Sequence, residues 1–110
     1  KYQSPIFITE NGVCDADDKI RAKFIYDHLK QIARLIDEGI PIKRYYHWSL
    51  IDNFEWEYGE SVRYGLVRNN FNTQERMVRA SGRFYGEICD KKAVTQDMIN
   101  RYLDQCAFHT

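Results

Sequence analysis

Glu10 closes the apolar run Ile6-Phe7-Ile8-Thr9 and is followed at once by Asn11-Gly12. A carboxylate at the C-terminal end of a buried parallel strand points into the face where α/β folds gather their active sites, and there it would be catalytic. The same pattern also fits an exposed acid in a turn. A second cluster runs Trp48-Ser49-Leu50-Ile51-Asp52-Asn53-Phe54-Glu55-Trp56. Two indole rings flanking an acid suit a sugar. The C–H-rich face of a pyranose lies on the ring, while the carboxylate accepts hydrogen bonds from two neighbouring hydroxyls. In the plainer alternative Trp48 and Phe54 are core residues and Glu55 is solvated. Three cysteines, Cys14, Cys89 and Cys106, are scattered, with no metal-ligand spacing. They read as reduced thiols of a cytoplasmic protein, since a secreted disulfide framework is normally even in number.

The elements that must position these residues are legible in outline. Ile6 to Thr9 reads as a buried strand stopped by the Asn11-Gly12 turn. Asp15 to Asp18 offers an N-cap and first-turn acids. Ile20, Phe24, Leu29, Ile32 and Ile36 then recur at helical spacing, until Gly39 ends the helix and Pro41 prevents re-entry. Ile42 to Ile51 suits a second strand, and a crossover holding one helix makes the two strands parallel. Asp52 to Gly59 reads as a loop. Tyr64 to Val67 and Arg76 to Val78 flank the turn-rich Asn69 to Thr73 as a hairpin. A helix is predicted from Ala80 or Ser81 to about Lys91, and Thr95 caps a last one carrying Met98, Ile99, Tyr102 and Leu103. The order β-α-β-loop-hairpin-α-α belongs to the α/β class.

Composition narrows the function. The 110 residues carry 16 basic and 16 acidic side chains, so there is no basic excess of the kind that marks a nucleic-acid footprint. No apolar run approaches the roughly 18 residues of a membrane span, and no metal or cofactor is expected. Aromatics reach 15%, enough to supply both a core and stacking surfaces. The chain opens on Lys1 and its first methionine is Met77, so it is expected to be a piece of a longer polypeptide.

Taken together, these motifs resemble a known family. Ile8-Thr9-Glu10-Asn11-Gly12 resembles the nucleophile motif of family 1 glycoside hydrolases, the β-glucosidase and β-galactosidase group. Tyr46 to Trp56, followed by Gly59 and Arg63-Tyr64-Gly65-Leu66, is similar to that family's second signature. Asp18, Arg21, His28-Leu29, Thr73, Arg76 and Phe84-Tyr85 match as well, so the resemblance covers about residues 2 to 90. Two stretches depart from the pattern. Arg68-Asn69-Asn70-Phe71 replaces an acidic string, and Arg79-Ala80-Ser81-Gly82 replaces a Lys-Ser-Ala run.

The resemblance implies the C-terminal quarter of a (β/α)8 TIM barrel, with strands seven and eight, their helices, a hairpin and terminal helices. Residues 1–94 would be the barrel part and 95–110 a helical tail of unassigned role. Glu10 would be the nucleophile of a retaining mechanism on a β-glucoside, β-galactoside or short β-linked oligosaccharide. Trp48 would floor the glycone subsite, Glu55 accept the 4- and 6-hydroxyls, Trp56 donate to the 3-hydroxyl, and Tyr64 border the 6-hydroxyl end. His28 is read as a helix residue packed for structure.

Relatives acting on 6-phosphoglycosides replace the glycone acid by a small hydroxyl residue and add a lysine nearby. Here Glu55 is present and Val62 stands where that lysine would be, so a plain sugar is favoured. The family's acid/base partner lies in an Asn-Glu-Pro motif, which this chain lacks. A non-catalytic fragment serving sugar binding or assembly is the competing reading. The isolated chain is expected to be inactive and to self-associate through unpaired strand edges.

Overall fold

In the computed structural model of the chain, which describes residues 4–54, 56–59 and 61–103, the apolar run after Pro5 forms strand β1 (Ile6–Ile8). Helix α1 (Arg21–Asp37) and strand β2 (Ile42–Tyr45) follow. The strands pair in parallel, Ile6 with Ile42, Phe7 with Arg44 and Ile8 with Tyr45, as the helical crossover requires. The burial expected of β1 is not found. Ile6 and Ile8 are half-buried, but Phe7 between them is 53% exposed. A sheet of two strands has only one covered face, so the alternate side chain meets solvent.

β2 ends at Tyr45, well before the Ile51 implied by the apolar run, because the chain changes partners. Tyr46 N still donates to Ile8 O (2.9 Å), but Ser49 N donates to Tyr64 O (3.2 Å) and Val67 N to Leu50 O (2.9 Å). The hairpin shifts accordingly. Strand β3 (Val67–Asn69) pairs antiparallel with β4 (Arg76–Val78), and Tyr64 to Leu66 lie beside Ser49 and Leu50 instead. Asn70 closes the turn, its Oδ1 accepting from Asn72 N (3.0 Å) and Thr73 N (3.2 Å).

The caps are more distant than the sequence suggests. No acid lies in the first turn of α1. Asp15, upstream of it, accepts from Ile20 N (2.8 Å) and Arg21 N (3.0 Å) through Oδ2. Asp18 reaches across the fold to helix α2 (Ala80–Lys91), accepting from Ser81 N (2.9 Å) and Ser81 Oγ (2.6 Å). Gly39 takes the expected left-handed conformation after α1, with φ at 97°.

The core lies between α1, α2 and the C-terminal turns. Ala22 and Ile25 meet Phe84, Leu66, Met98 and Leu103, while Ile36, assigned to the apolar stripe, is 48% exposed. Residues 95–103 are therefore part of the packing. Thr95 Oγ1 accepts from Met98 N (3.2 Å) at the start of α3 (Gln96–Met98), which continues as a π turn through Leu103. His28, a half-buried helix residue, has Nδ1 2.8 Å from Phe24 O and its ring 4.0 Å from the Phe24 ring between centroids, tilted by 35°. Cys14 and Cys89 are free thiols, and Cys106 lies outside the described residues. Among the described residues, no helix is long and apolar enough to cross a membrane, and no group of three His, Cys, Asp or Glu is arranged for a metal.

One buried ion pair joins these parts. Asp52 is 2% exposed and Arg79 7%. Arg79 Nη1 and Nη2 donate to the two oxygens of Asp52 at 2.9 and 3.1 Å, and Gly65 N and Asn69 N donate to the same carboxylate at 2.9 and 3.3 Å. Burial alone would raise the Asp52 pKa, but the Arg79 guanidinium and these two amides outweigh it and hold the carboxyl below its usual value. Removing one partner strands a buried charge. Arg79→Ala is expected to cost about 3–5 kcal/mol, and Asp52→Asn combined with Arg79→Met less than the sum of the two single losses. Urea unfolding of the four variants measures both.

Candidate active site

The chain leaves β1 at Ile8 and reaches α1 only at Arg21, so the intervening loop must be held by contacts of its own. Asn11 is the pivot. Its carbonyl accepts from Trp48 N (3.0 Å), and its side-chain Oδ1 accepts from the Tyr45 hydroxyl (2.8 Å). Gly12 follows because nothing larger fits: a Cβ there would run into the Trp48 carbonyl oxygen. Beyond it, Arg21 is fully buried and gathers the next loop. It donates to Asp15 O (2.8 Å), Val13 O (3.3 Å) and Arg63 O (2.9 Å), the last lying one residue before Tyr64. Tyr64 is held from its other side by Gly65, whose amide is bound to Asp52.

These anchors bring together Glu10, Asn11, Gly12, Trp48, Trp56 and Tyr64 as the lining of one open cleft of about 570 Å³ at the ends of the parallel pair. Four of the five residues singled out in the sequence thus share a wall: Glu10, Trp48, Trp56 and Tyr64. The fifth, Glu55, lies outside the described residues. Trp56 starts a short 3-10 turn (Trp56–Tyr58) with φ at 47° and is 88% exposed, whereas Trp48 is 37% exposed. The Trp48–Ser49 peptide is cis. Among the described residues the cleft offers the Glu10 carboxylate, the Asn11 amide, the Tyr64 phenol and two indole faces. That set suits a polyhydroxylated ligand with an electrophilic centre rather than a bound ion.

Sequence reasoning passed over the residues that place these groups. Tyr45, Asp52 and Arg79 bear on the cleft only through others. The signal for Asp52 was an acid directly after the apolar stretch Leu50-Ile51, and a buried carboxylate needs partners. His47, next to Trp48, is a further case. Both ring nitrogens are buried without a hydrogen-bond partner among the described residues, and its ring faces Tyr85 at 5.8 Å between centroids.

Burial, and then the nearby Arg21 charge, lower the His47 pKa from 6.5 to about 4. The unfolded chain therefore binds a proton in this interval that the folded chain does not. The His47 contribution to stability is complete above pH 6.5 and is lost as the pH drops toward 4, by at most about 1.4 kcal/mol per unit. His47→Phe should flatten that part of the stability–pH curve, which denaturation at pH 7, 5.5 and 4.5 would measure.

The chain matches the family model for Glycosyl hydrolase family 1 over residues 1–94. It is 39% identical over 104 residues to a beta-galactosidase of Pyrococcus woesei, covering 94% of this chain and 20% of that protein. With Beta-glucosidase A of Acetivibrio thermocellus it shares 42% identity over 97 residues, covering 79% and 22%. Among solved structures, a beta-glycosidase from Pyrococcus horikoshii superposes with a TM-score of 0.86 at 40% identity, over 92% of this chain and 24% of the other. A beta-glucosidase from Thermotoga maritima in complex with glucoimidazole superposes with a TM-score of 0.78 at 35% identity, over 83% and 23%. The chain spans about a fifth of the length of the curated relatives it matches.

Proposed function

The chain belongs to glycosyl hydrolase family 1, and we propose that it is the C-terminal quarter of a (β/α)8 barrel enzyme that hydrolyses terminal β-glucosides or β-galactosides with retention. In this reading β1 and β2 are barrel strands seven and eight, and residues 1–94 make up the barrel part. The observation that carries it is the shared cleft of Glu10, Trp48, Trp56 and Tyr64 at the C-terminal ends of two parallel strands. Glycosidases with this mechanism use two carboxyl groups about 5 Å apart. Glu10 supplies one of them. Its carboxylate attacks the anomeric carbon, the aglycone oxygen departs with a proton from the acid/base residue, and water then releases the sugar from the Glu10 ester.

The remaining residues bind. Trp48 lies beneath the pyranose ring, Trp56 donates to the 3-hydroxyl, Tyr64 borders the 6-hydroxyl, and Glu55 accepts the 4- and 6-hydroxyls. An anionic Glu55 would repel a 6-phosphate, so the substrate is the unphosphorylated sugar. The acid/base carboxyl comes from outside this chain, so the isolated chain does not hydrolyse glycosides. Its exposed Phe7 and the outer edges of β1 and β2, which no further strand among the described residues covers, favour self-association of the isolated chain.

In the complete enzyme, Glu10→Ala should lower hydrolysis of an aryl β-glucoside by several orders of magnitude. Added azide should then restore cleavage of a substrate with a good leaving group, and give the α-glycosyl azide. Turnover close to the wild type without azide would remove Glu10 from the mechanism.

A further inference from the structure

We propose that Tyr45 is a positioning residue for the Glu10 carboxylate, acting through Asn11. The inference rests on the reading of Glu10 as nucleophile and extends it to a side chain that does not line the cleft.

Tyr45 grips the chain on both sides of Glu10. Its backbone is the partner of Ile8 at the last register position of the parallel pair. Its hydroxyl donates to Asn11 Oδ1 at 2.8 Å. Between those two attachments lie only Thr9 and Glu10. Trp48 N completes the hold by donating to the Asn11 carbonyl at 3.0 Å. Glu10 itself lines the cleft, and the anchors at Ile8 and Asn11 constrain the backbone from which its carboxylate projects.

The phenol is suited to that task. It is partly buried, with the Tyr85 ring 6.4 Å away between centroids, and a rigid ring has few rotamers in which to lose the bond. Burial, and next the Tyr85 hydroxyl, push its pKa above the ordinary 10, so the donor is kept at every working pH. Without the hydroxyl, the Asn11 side chain loses its fixed orientation and the Thr9-Glu10 link gains freedom. A displacement of one ångström at a reacting group is enough to cost about a hundredfold in rate.

The test uses the complete enzyme and an aryl β-glucoside. Tyr45→Phe is expected to lower kcat by roughly ten- to a hundredfold with KM little changed and the thermal midpoint kept. Asn11→Ala should do the same, and the double variant should be no worse than either alone, because the two groups act as one unit. The decisive background is Glu10→Ala rescued by azide. There Tyr45→Phe should leave the rescued rate unchanged, since the carboxylate it positions is gone. An unchanged kcat in Tyr45→Phe, additive losses in the double variant, or an equal loss of the rescued rate would each overturn the proposal. Full turnover of Glu10→Ala without azide would instead overturn the reading beneath it, and the proposal with it.

Discussion

The fold depends on the buried pairing of Asp52 with Arg79. A carboxylate taken out of water costs several kcal/mol unless its charge and lone pairs are met, and here a guanidinium and two backbone amides meet them. Each of those partners belongs to a different part of the chain. Gly65 follows Tyr64 of the cleft, Asn69 ends β3, and Arg79 is the extended residue just before α2, its own amide donating to Leu66 O. Arg79 Nη1 also reaches Gly65 O (2.6 Å) and Nη2 reaches Ala16 O (3.3 Å) in the loop after β1. With so many elements converging on one carboxylate, the segment from Trp48 to Asn53 has little choice of path.

Arg21 repeats the device on the other flank. Its guanidinium takes carbonyls from the loop after Glu10 and from Arg63, and it pairs with Asp18 at 2.6 Å, which in turn caps α2. The two arginines hold from behind what the cleft presents in front. Apolar packing supplies the bulk of the core around Ile25, Phe84 and Met98. The charged pairs determine how the loops leave it. Exposed cleft side chains on loops can then keep fixed positions without being buried themselves.

How much of this could be read in the sequence follows from the range of each interaction. The parallel pair, α1, α2, the Gly39 stop and the Thr95 cap rest on local patterns, and all of them form. Glu10, Trp48, Trp56 and Tyr64 share one cleft. Glu10 follows a strand whose end is legible, Trp48 and Trp56 stand out as indoles flanking an acid, and Tyr64 is marked only by the family resemblance. What escaped is non-local. An apolar stretch from Ile42 to Ile51 looks like one strand, and nothing in it announces that Ser49 will leave β1's side for Tyr64. Asp18 looks like a cap for the helix next to it, yet its carboxylate serves Ser81 far along the chain. The buried face of α1 is legible only in part for a similar reason: Leu29 packs against the core, but Ile36 is exposed. Ala22 and Ile25 are selected by what α2 offers opposite them, a choice the helical period leaves open.

The proposal that this segment delivers the nucleophile of a retaining glycosidase is tested most directly by trapping its covalent intermediate. The complete enzyme is incubated with an activated 2-deoxy-2-fluoro-β-glucoside, whose fluorine slows release of the sugar more than its attachment, and the protein is then digested and mapped. The account predicts one fluoroglucosyl group per active site, carried as an ester on Glu10. A label on any other carboxylate, or cleavage that proceeds with inversion and leaves no adduct, would contradict it.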